Sequence, residues 1–324
     1  MVKEFDLSVI IPVFNAADTI RDVVSAFLKL RHLAIQIILI DDCSSDGSEA
    51  ILREMAVENK NVEAIINSKN QGAGIARNSG FERALGRYTL FFDADDQPHV
   101  EALIMAISSL DQTQADLAMM PYSYRRDLSN DNKEMNTYDS QVWGRLMDGK
   151  KQKVVKLTDA PTLLGFSNYP WNKVLRTTTY RSAGLKFGST PVNNDILGHW
   201  YSLLFADEIL LIESVICTHI VESNGSNLTN QSSLKRLALF DALDETYDVL
   251  LAHPLLRSRY SHHYWSLVQR TASWAFGRLD PGVKMKFNLR YQEHLKRIDL
   301  EDYSRMRQKR SPQLADSILK RSLA

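Results

Sequence analysis

Short runs of apolar, mostly β-branched residues alternate with helix-like segments through the first 120 residues of the chain. The apolar runs predict buried strands at residues 7–14, 35–40, 62–66, 88–92 and 116–120. The intervening segments predict helices near residues 18–31, 46–59, 72–85 and 98–110. Asp18 and Asp46 are placed to cap the first two helices, and Pro98 suits the first turn of the fourth. This alternation is typical of an α/β fold, in which helices cover both faces of a mostly parallel sheet.

The rest of the chain has a different pattern. Residues 121–151 are polar and irregular, which predicts an excursion or loop, and the pattern from residue 231 onward is helical. We therefore expect one domain over residues 1–230, followed by a C-terminal helical region over residues 231–324.

Polar side chains follow the predicted strands at the points where the strands end. In strand order they are Asn15, then Asp41 and Asp42, then Asn67 and Asn70, and then Asp93, Asp95 and Asp96. Ligands of open α/β sheets bind beyond the carboxyl ends of the strands. The sequence therefore predicts a binding site at this edge of the sheet.

The segment FFDADD (91–96) places three carboxylates within four positions. Carboxylates this close raise one another's pKa unless a cation lies among them. Magnesium and manganese are commonly held by one or two carboxylates together with substrate phosphates. The alternative is an acidic turn that caps the helix near Pro98. Together with the other strand ends, the pattern favours an Mg²⁺ or Mn²⁺ site with Asp93 and Asp95 as ligands and Asp96 turned away.

The distribution of charge limits the class of partner. The formal net charge is +0, which argues against a general nucleic-acid binder. Residues 255–324, however, carry 15 Lys and Arg against 6 Asp and Glu. One interpretation is a solvated helical surface, and the other is a basic face for an anionic acceptor or a membrane surface.

Cysteine usage and hydropathy suggest a compartment. Cys43 and Cys217 are far apart and fit a reducing environment. The N-terminal apolar run is interrupted by Pro12, unlike that of a signal peptide, and no apolar run reaches the roughly 20 residues of a membrane span. We expect a cytoplasmic protein, either free or peripheral to the inner face of the membrane.

Four segments together resemble the family-2 glycosyltransferases of the GT-A fold. They are SVIIPVFNA (8–16), IILIDDCSSDGS (37–48), NQGAGIARNSG (70–80) and FFDADD (91–96), in that family's order and spacing. The resemblance continues more loosely through PWNKVLR (170–176) and NND (193–195) to about residue 229. It implies inverting, metal-dependent transfer of a sugar from a nucleotide sugar, commonly UDP-linked, to an acceptor hydroxyl. It also implies a role in the synthesis of a bacterial surface polysaccharide.

The resemblance further implies a nucleotide-binding half over residues 1–120, an acceptor half over residues 121–230, and a set of site residues. The nucleotide-sugar-binding residues would be Pro12, Phe14, Asn15, Asp42, Asn70, Arg77 and Asp93, with Asp93 and Asp95 at the metal. Asp42 would accept a hydrogen bond from the base, and Arg77 would border the diphosphate. Cys43 stands where the family usually has glycine.

The catalytic base is expected in the second half. The family's Glu-Asp pair reads Asn194-Asp195 here, so Asp195 is the base by analogy. Its alternative role is the N-cap of the helix that follows.

Three further side chains are candidates for acceptor or accessory roles. Trp171 is either a platform for a sugar ring or a core residue. His199 either orients Asp195, touches the acceptor, or is a core or surface histidine. His219 follows an apolar run and is a candidate metal ligand by analogy with GT-A enzymes. The helices after residue 231 would hold a glycan or lipid-linked acceptor, contact a membrane, or form a homodimer.

Other classes fit the chain less well. GAGIAR (72–77) begins like the fingerprint of a dinucleotide-binding oxidoreductase, but Arg77 stands at the third glycine position and the segment follows the third strand. A nucleotide-sugar-binding module without turnover remains as the alternative to an enzyme.

Overall fold

The computed structural model of the protein describes residues 5–126, 132–221 and 234–323. The strands within these ranges are β1 (Phe5–Val13), β2 (Ile35–Asp41), β3 (Val62–Ile66), β4 (Gly86–Phe91), β5 (Gln97–Pro98), β6 (Leu117–Met119), β7 (Tyr122–Arg126), β8 (Lys133–Glu134), β9 (Gln152–Val155), β10 (Lys173–Arg176), β11 (Ile209–Ile212) and β12 (Cys217–Val221). The α-helices are α1 (Ile20–Leu28), α2 (Ser48–Glu58), α3 (Ala73–Glu82), α4 (Val100–Thr113), α5 (Thr137–Met147), α6 (Thr177–Ala183), α7 (Asp195–Leu204), α8 (Ala238–Ala252), α9 (Pro254–Phe276), α10 (Lys284–Leu295), α11 (Leu300–Lys309) and α12 (Pro312–Leu323).

The predicted strands and helices of the first 120 residues are all present. The main sheet has the order β3-β2-β1-β4-β10-β6-β11-β9. Strands β1 to β4 pair in parallel, while β10 runs antiparallel to both of its neighbours. All seven residues of β2 are buried, as expected for a strand covered on both faces. The prediction of a mostly parallel α/β sheet is confirmed.

The carboxyl ends of the parallel strands lie side by side. The backbone N–H of Asp42 donates to the carbonyl of Val13 at 2.8 Å, and that of Asn67 donates to the carbonyl of Asp41 at 2.9 Å. These bonds extend the ladder one residue beyond β2 and β3, so the polar residues after the strands start from one edge of the sheet.

Residues 121–151 differ from the predicted loop. They contain β7, β8 and helix α5, although residues 127–131 are outside the described ranges. Asn136 caps α5 by accepting the N–H of Asp139 at 3.0 Å, and Val142, Trp143 and Met147 bury one face of the helix. The loop prediction was wrong because the polar residues around this segment concealed the three core residues of the helix.

Two predicted helix starts were also wrong. Helix α1 has Thr19 rather than Asp18 at its N-cap. Pro98 belongs to β5, which pairs with β12, and α4 begins only at Val100. Helix α2 has Gly47 rather than Asp46 at its N-cap, although Asp46 accepts the N–H of Ser48 at 3.0 Å at the start of this helix.

A second sheet and the C-terminal helices complete the fold. The second sheet has the order β5-β12-β7-β8. Helix α8 packs against α7, and α9 packs against a 3₁₀ turn at Pro161–Gly165. Within the described ranges, no helix combines the length and apolarity needed to cross a membrane. The predicted boundary near residue 230 lies outside the described residues.

Many of the C-terminal arginines are paired with acids. These arginines are Arg257, Arg290, Arg297, Arg305 and Arg307. Some of their partners, such as Asp241 and Asp244, lie in α8, upstream of the basic stretch. The upstream acids Asp241, Asp244 and Asp248 therefore offset part of the local positive excess, while the other pairs lie within the basic stretch itself.

Candidate functional site

The acidic turn after β4 has a cationic partner for two of its three aspartates. The Nη2 of Arg77 lies 2.6 Å from Oδ1 of Asp93, and Nδ1 of His219 lies 2.8 Å from Oδ1 of Asp96. Asp96 is buried and also accepts the N–H of Ile220 at 2.9 Å. Asp95 is exposed. The turn therefore presents Asp93 and Asp95 towards solvent and uses Asp96 to hold β12.

The charges of the turn shift the pKa values of its members. The protein atoms packed around Asp95 and the charges of Asp96 and Asp93 raise the pKa of this carboxyl group, although Asp95 keeps contact with solvent. Burial alone would lower the pKa of His219, but its hydrogen bond to Asp96 and the charges of the three aspartates raise it. The local excess of negative charge is therefore only partly compensated by protein cations.

A divalent ion would supply the missing positive charge. No group of three or more His, Cys, Asp or Glu side chains arranged to hold a metal is found in the part of the chain that the structure describes. Asp93 and Asp95 offer only oxygen donors, which suits Mg²⁺ or Mn²⁺ held jointly by protein and substrate phosphates. Because Nδ1 of His219 is bonded to Asp96, His219 would ligate an ion only through Nε2 and only as a neutral ring. The turn does not cap α4, whose start has no side-chain cap.

The strand ends beside the turn form an open rim. Phe14 is 52% exposed at the end of β1, and Asn15 adopts a left-handed conformation with φ of 51°. The Oδ1 of Asn15 accepts the N–H of Ser45 at 2.8 Å, which ties the β1 and β2 ends together. Pro12 is partly buried beneath them. An exposed aromatic ring at this position offers a face on which a nucleobase can stack.

Asp42 braces the loop that leads into α3. It is 2% exposed, and its carboxylate accepts the N–H of Gly72 at 2.6 Å, the N–H of Gln71 at 3.0 Å and Nδ2 of Asn67 at 3.0 Å. Asn70 lies in the same loop and is exposed. Asp42 therefore holds the backbone of this loop by hydrogen bonds, while Asn70 is exposed to solvent.

Arg77 connects the acidic turn to the start of α7. The guanidinium is buried, with Nη2 on Asp93 and Nη1 donating to Oδ1 of Asn194 at 2.8 Å. Asn194 is the N-cap residue of α7, but its side chain makes no capping hydrogen bond because it faces Arg77. Asp195 is the first helical residue, so the N-cap role considered for it was wrong. The amide of Asn194 accepts this hydrogen bond from Arg77 as a neutral group.

Asp195 lies in an environment that favours its neutral form. Burial raises the pKa of this carboxyl group to about 6, although the charge of Arg77 opposes the shift. The charge of Asp93 raises it further, and that of Lys173 lowers it. In the structure, the charges of Asp93 and Arg77 therefore act on Asp195, so these three predicted site residues influence one another electrostatically.

Lys173 was not singled out from the sequence. It is 3% exposed, and its Nζ donates to the carbonyl of Tyr169 at 2.9 Å and to Oδ1 of Asn172 at 2.5 Å. Burial lowers its pKa to about 7. In the sequence, the signal that Lys173 is buried is its position directly before the apolar residues of KVLR (173–176).

Trp171 and His199 are core residues. Trp171 is fully buried, and its ring stacks on Tyr169 with centroids 4.4 Å apart, so it offers no face to a sugar. His199 is also buried, with Nε2 at 3.0 Å from the carbonyl of Leu163 rather than on Asp195. The structure thus supports the core alternative for both.

Comparison with known proteins identifies the family of the chain. The sequence pattern of glycosyl transferase family 2 matches residues 8–170. TuaG of Bacillus subtilis (strain 168), provisionally named a teichuronic acid biosynthesis glycosyltransferase, is 41% identical over 91 residues, which are 28% of this chain and 36% of TuaG. Glycosyltransferase GlyA of Streptococcus pneumoniae serotype 4 is 24% identical over 305 residues, which are 90% of this chain and 41% of GlyA. The chain spans between about a third and a half of the length of such relatives.

A solved structure agrees over nearly the whole chain. Residues 1–349 of TarS from S. aureus, in complex with UDP-GlcNAc, superpose with a TM-score of 0.78 at 16% identity, covering 98% of this chain and 88% of that one. At this identity the likeness shows the fold alone, and the predicted GT-A fold with a helical C-terminal region is confirmed. Since the family pattern covers half of the sequence and the fold agrees with it, the chain belongs to glycosyltransferase family 2.

Proposed function

We propose that the chain transfers a sugar from a UDP-sugar to an acceptor hydroxyl with inversion at the anomeric carbon. The observation that carries the proposal is the bridge made by Arg77, because it places the acidic turn and the helix start that bears Asp195 in one site. The exposed ring of Phe14 and the exposed Asn70 supply an open rim for a nucleotide. UDP is the proposed nucleotide because TarS structures with the same fold hold UDP-GlcNAc and UDP.

The proposed donor site includes a divalent cation, Mn²⁺ or Mg²⁺. Asp93 and Asp95 would hold it, since both keep solvent access and offer oxygen ligands. The ion would act as a Lewis acid that neutralises charge on the departing diphosphate. Arg77 keeps Asp93 oriented for this role from within the protein.

Asp195 would be the general base. It would take the proton of the acceptor hydroxyl as the new bond forms between that oxygen and the anomeric carbon. The bond from the anomeric carbon to the diphosphate oxygen breaks on the opposite side, and UDP leaves with the bonding electrons. A carboxylate whose pKa is raised to about 6 is a stronger base than an ordinary aspartate and is still ionised at neutral pH.

The proposed function also includes a cellular setting and partner molecules. We propose the assembly of a bacterial surface polysaccharide, because relatives named for teichuronic acid and succinoglycan biosynthesis share the matched region. The acceptor would be a glycan or a lipid-linked glycan at the cytoplasmic face of the membrane. Contact of the C-terminal helices with that membrane, and a homodimer, belong to the same proposal.

A donor screen tests the proposal directly. The protein is incubated with Mn²⁺ and each of several UDP-sugars, and UDP release is measured in water and with oligosaccharide acceptors. We expect metal-dependent UDP release with one preferred donor, and a product of inverted anomeric configuration by NMR. Tight UDP binding without hydrolysis or transfer would instead support a nucleotide-sugar-binding module.

A further inference from the structure

The loop that leads to Asp195 comprises residues 184–194, between helices α6 and α7. It is held on one side by helix α3. The side-chain amide of Asn78 makes two bonds to the backbone of Phe187, accepting its N–H at 2.8 Å and donating to its carbonyl at 3.0 Å. A Cβ atom at Gly74 would lie 1.9 Å from the carbonyl oxygen of Gly188. The loop therefore rests directly on the first turns of α3.

On its other side the same loop is held by Glu245 of helix α8. Both carboxylate oxygens accept the backbone N–H of Ser189, at 3.1 and 3.3 Å, and one accepts the Ser189 hydroxyl at 2.5 Å. A Cβ atom at Gly188 would lie 2.6 Å from Oε2 of Glu245. The carboxylate of Glu245 can only accept hydrogen bonds, and Ser189 offers it two donors, the backbone N–H and the hydroxyl. The two bonds together fix the position of Ser189 relative to Glu245.

The loop transmits this position to the residue before Asp195. The N–H of Gly188 donates to the carbonyl of Asn194 at 2.8 Å, which closes the loop. Nδ2 of Asn194 donates to the carbonyl of Thr190 at 3.3 Å. Asn193 adopts a left-handed conformation with φ of 60°, so no regular secondary structure restrains this part of the chain. A displacement of Ser189 would thus move Asn194 and the start of α7.

We propose that Glu245 is a positioning residue for transfer, through which the C-terminal helical region sets the orientation of Asp195. The inference rests on the proposed role of Asp195 as the base. It gives helix α8 a part in the reaction without direct contact with substrate. Small displacements of a reacting group are costly, because a shift of about 1 Å can lower a rate by about 100-fold.

The test compares three variants of the full chain. Glu245→Ala removes both carboxylate oxygens that accept hydrogen bonds from Ser189, and Glu245→Gln keeps one acceptor oxygen. Glu293→Ala is the control, because Glu293 is a C-terminal carboxylate that is 70% exposed and lies 3.9 Å from its arginine partner. For each variant, kcat, the KM for the donor and the number of UDP-binding sites per chain are measured.

We expect Glu245→Ala to lower kcat about tenfold per UDP-binding site, with the KM for the donor within about twofold of the wild type. Glu245→Gln should recover part of the loss, and Glu293→Ala should match the wild type. A merely structural role would reduce the number of binding sites and leave kcat per site unchanged. That result, or an unchanged Glu245→Ala, would overturn the inference.

Asp195→Asn separates this inference from the proposed function. If Asp195→Asn transfers sugar at the wild-type rate, Asp195 is not the base and Glu245 has nothing to position. If Asp195→Asn is inactive while Glu245→Ala is unchanged, only the role of Glu245 fails.

Discussion

The guanidinium of Arg77 lies 2.6 Å from the carboxylate of Asp93 in a partly buried contact between helix α3 and the acidic turn. The same guanidinium reaches Asn194 at the start of α7. The side chain expected at the diphosphate therefore also joins the two halves of the site.

Arg77→Lys should impair both binding and transfer. A lysine cannot contact Asp93 and Asn194 with two separate nitrogens of a planar group, so one contact is lost. We expect kcat to fall about 100-fold and UDP affinity in the presence of Mn²⁺ to weaken. Arg83→Lys is the matched control, because Arg83 follows the same helix and pairs with Glu63 at the surface. Equal effects of the two substitutions would contradict the bridging role.

Asp195→Asn should abolish transfer and leave UDP binding nearly intact. The amide keeps the shape of the side chain but cannot take the proton of the acceptor hydroxyl. Transfer should fall about a thousand-fold, measured with the preferred donor at saturation. A parallel loss of UDP affinity, measured by calorimetry, would show that Asp195 supports the fold of the donor site instead.

The pH dependence of kcat should carry the signature of the same carboxylate. The pKa of Asp195 is raised to about 6, and only the ionised form can act as the base. Activity should therefore be complete well above pH 6 and fall as the pH decreases through that value. An acid limb centred near pH 4, the usual value for an aspartate, would contradict the assignment.

His219→Ala should destabilise the protein because it leaves the buried carboxylate of Asp96 without its partner. The expected loss in free energy of unfolding is about 3 kcal/mol, measured by urea unfolding. The double variant with Asp96→Asn should be more stable than His219→Ala alone, since it removes the unpaired charge. A double variant that is no more stable would show that the contact is not a buried charge pair.

Gly74→Ala should disturb the loop before Asp195. Its new methyl group would meet the backbone oxygen of Gly188, which cannot rotate away, so a loss of about 2 kcal/mol in stability is expected together with lower kcat. Gly144→Ala in α5 is the control, because a Cβ there meets no atom within 4 Å. The control should be neutral or slightly stabilising, since alanine favours helix. If both variants behave alike, the close approach of the loop to α3 is not a constraint.

The sequence predicted those features of the fold and site that depend on local sequence patterns. Strands β1 to β4 and β6 and helices α1 to α4 follow from short-range periodicity, whereas Asp93, Asp95 and Asp195 were singled out from motifs beside predicted elements. It did not predict contacts between distant residues, such as Arg77 with Asn194, His219 with Asp96, or Glu245 with Ser189. It also missed α5, which lies in a mainly polar segment, and it could not choose between core and site for Trp171. Such choices are made by tertiary packing, which periodicity does not encode.

The central claim is that a divalent ion at Asp93 and Asp95 anchors the diphosphate of the donor. The most direct test is calorimetric titration of UDP into the wild type and into Asp95→Ala, with Mn²⁺ and with a chelator. We predict tight binding only to the wild type and only with Mn²⁺. Binding of UDP with equal affinity in all four titrations would contradict the claim.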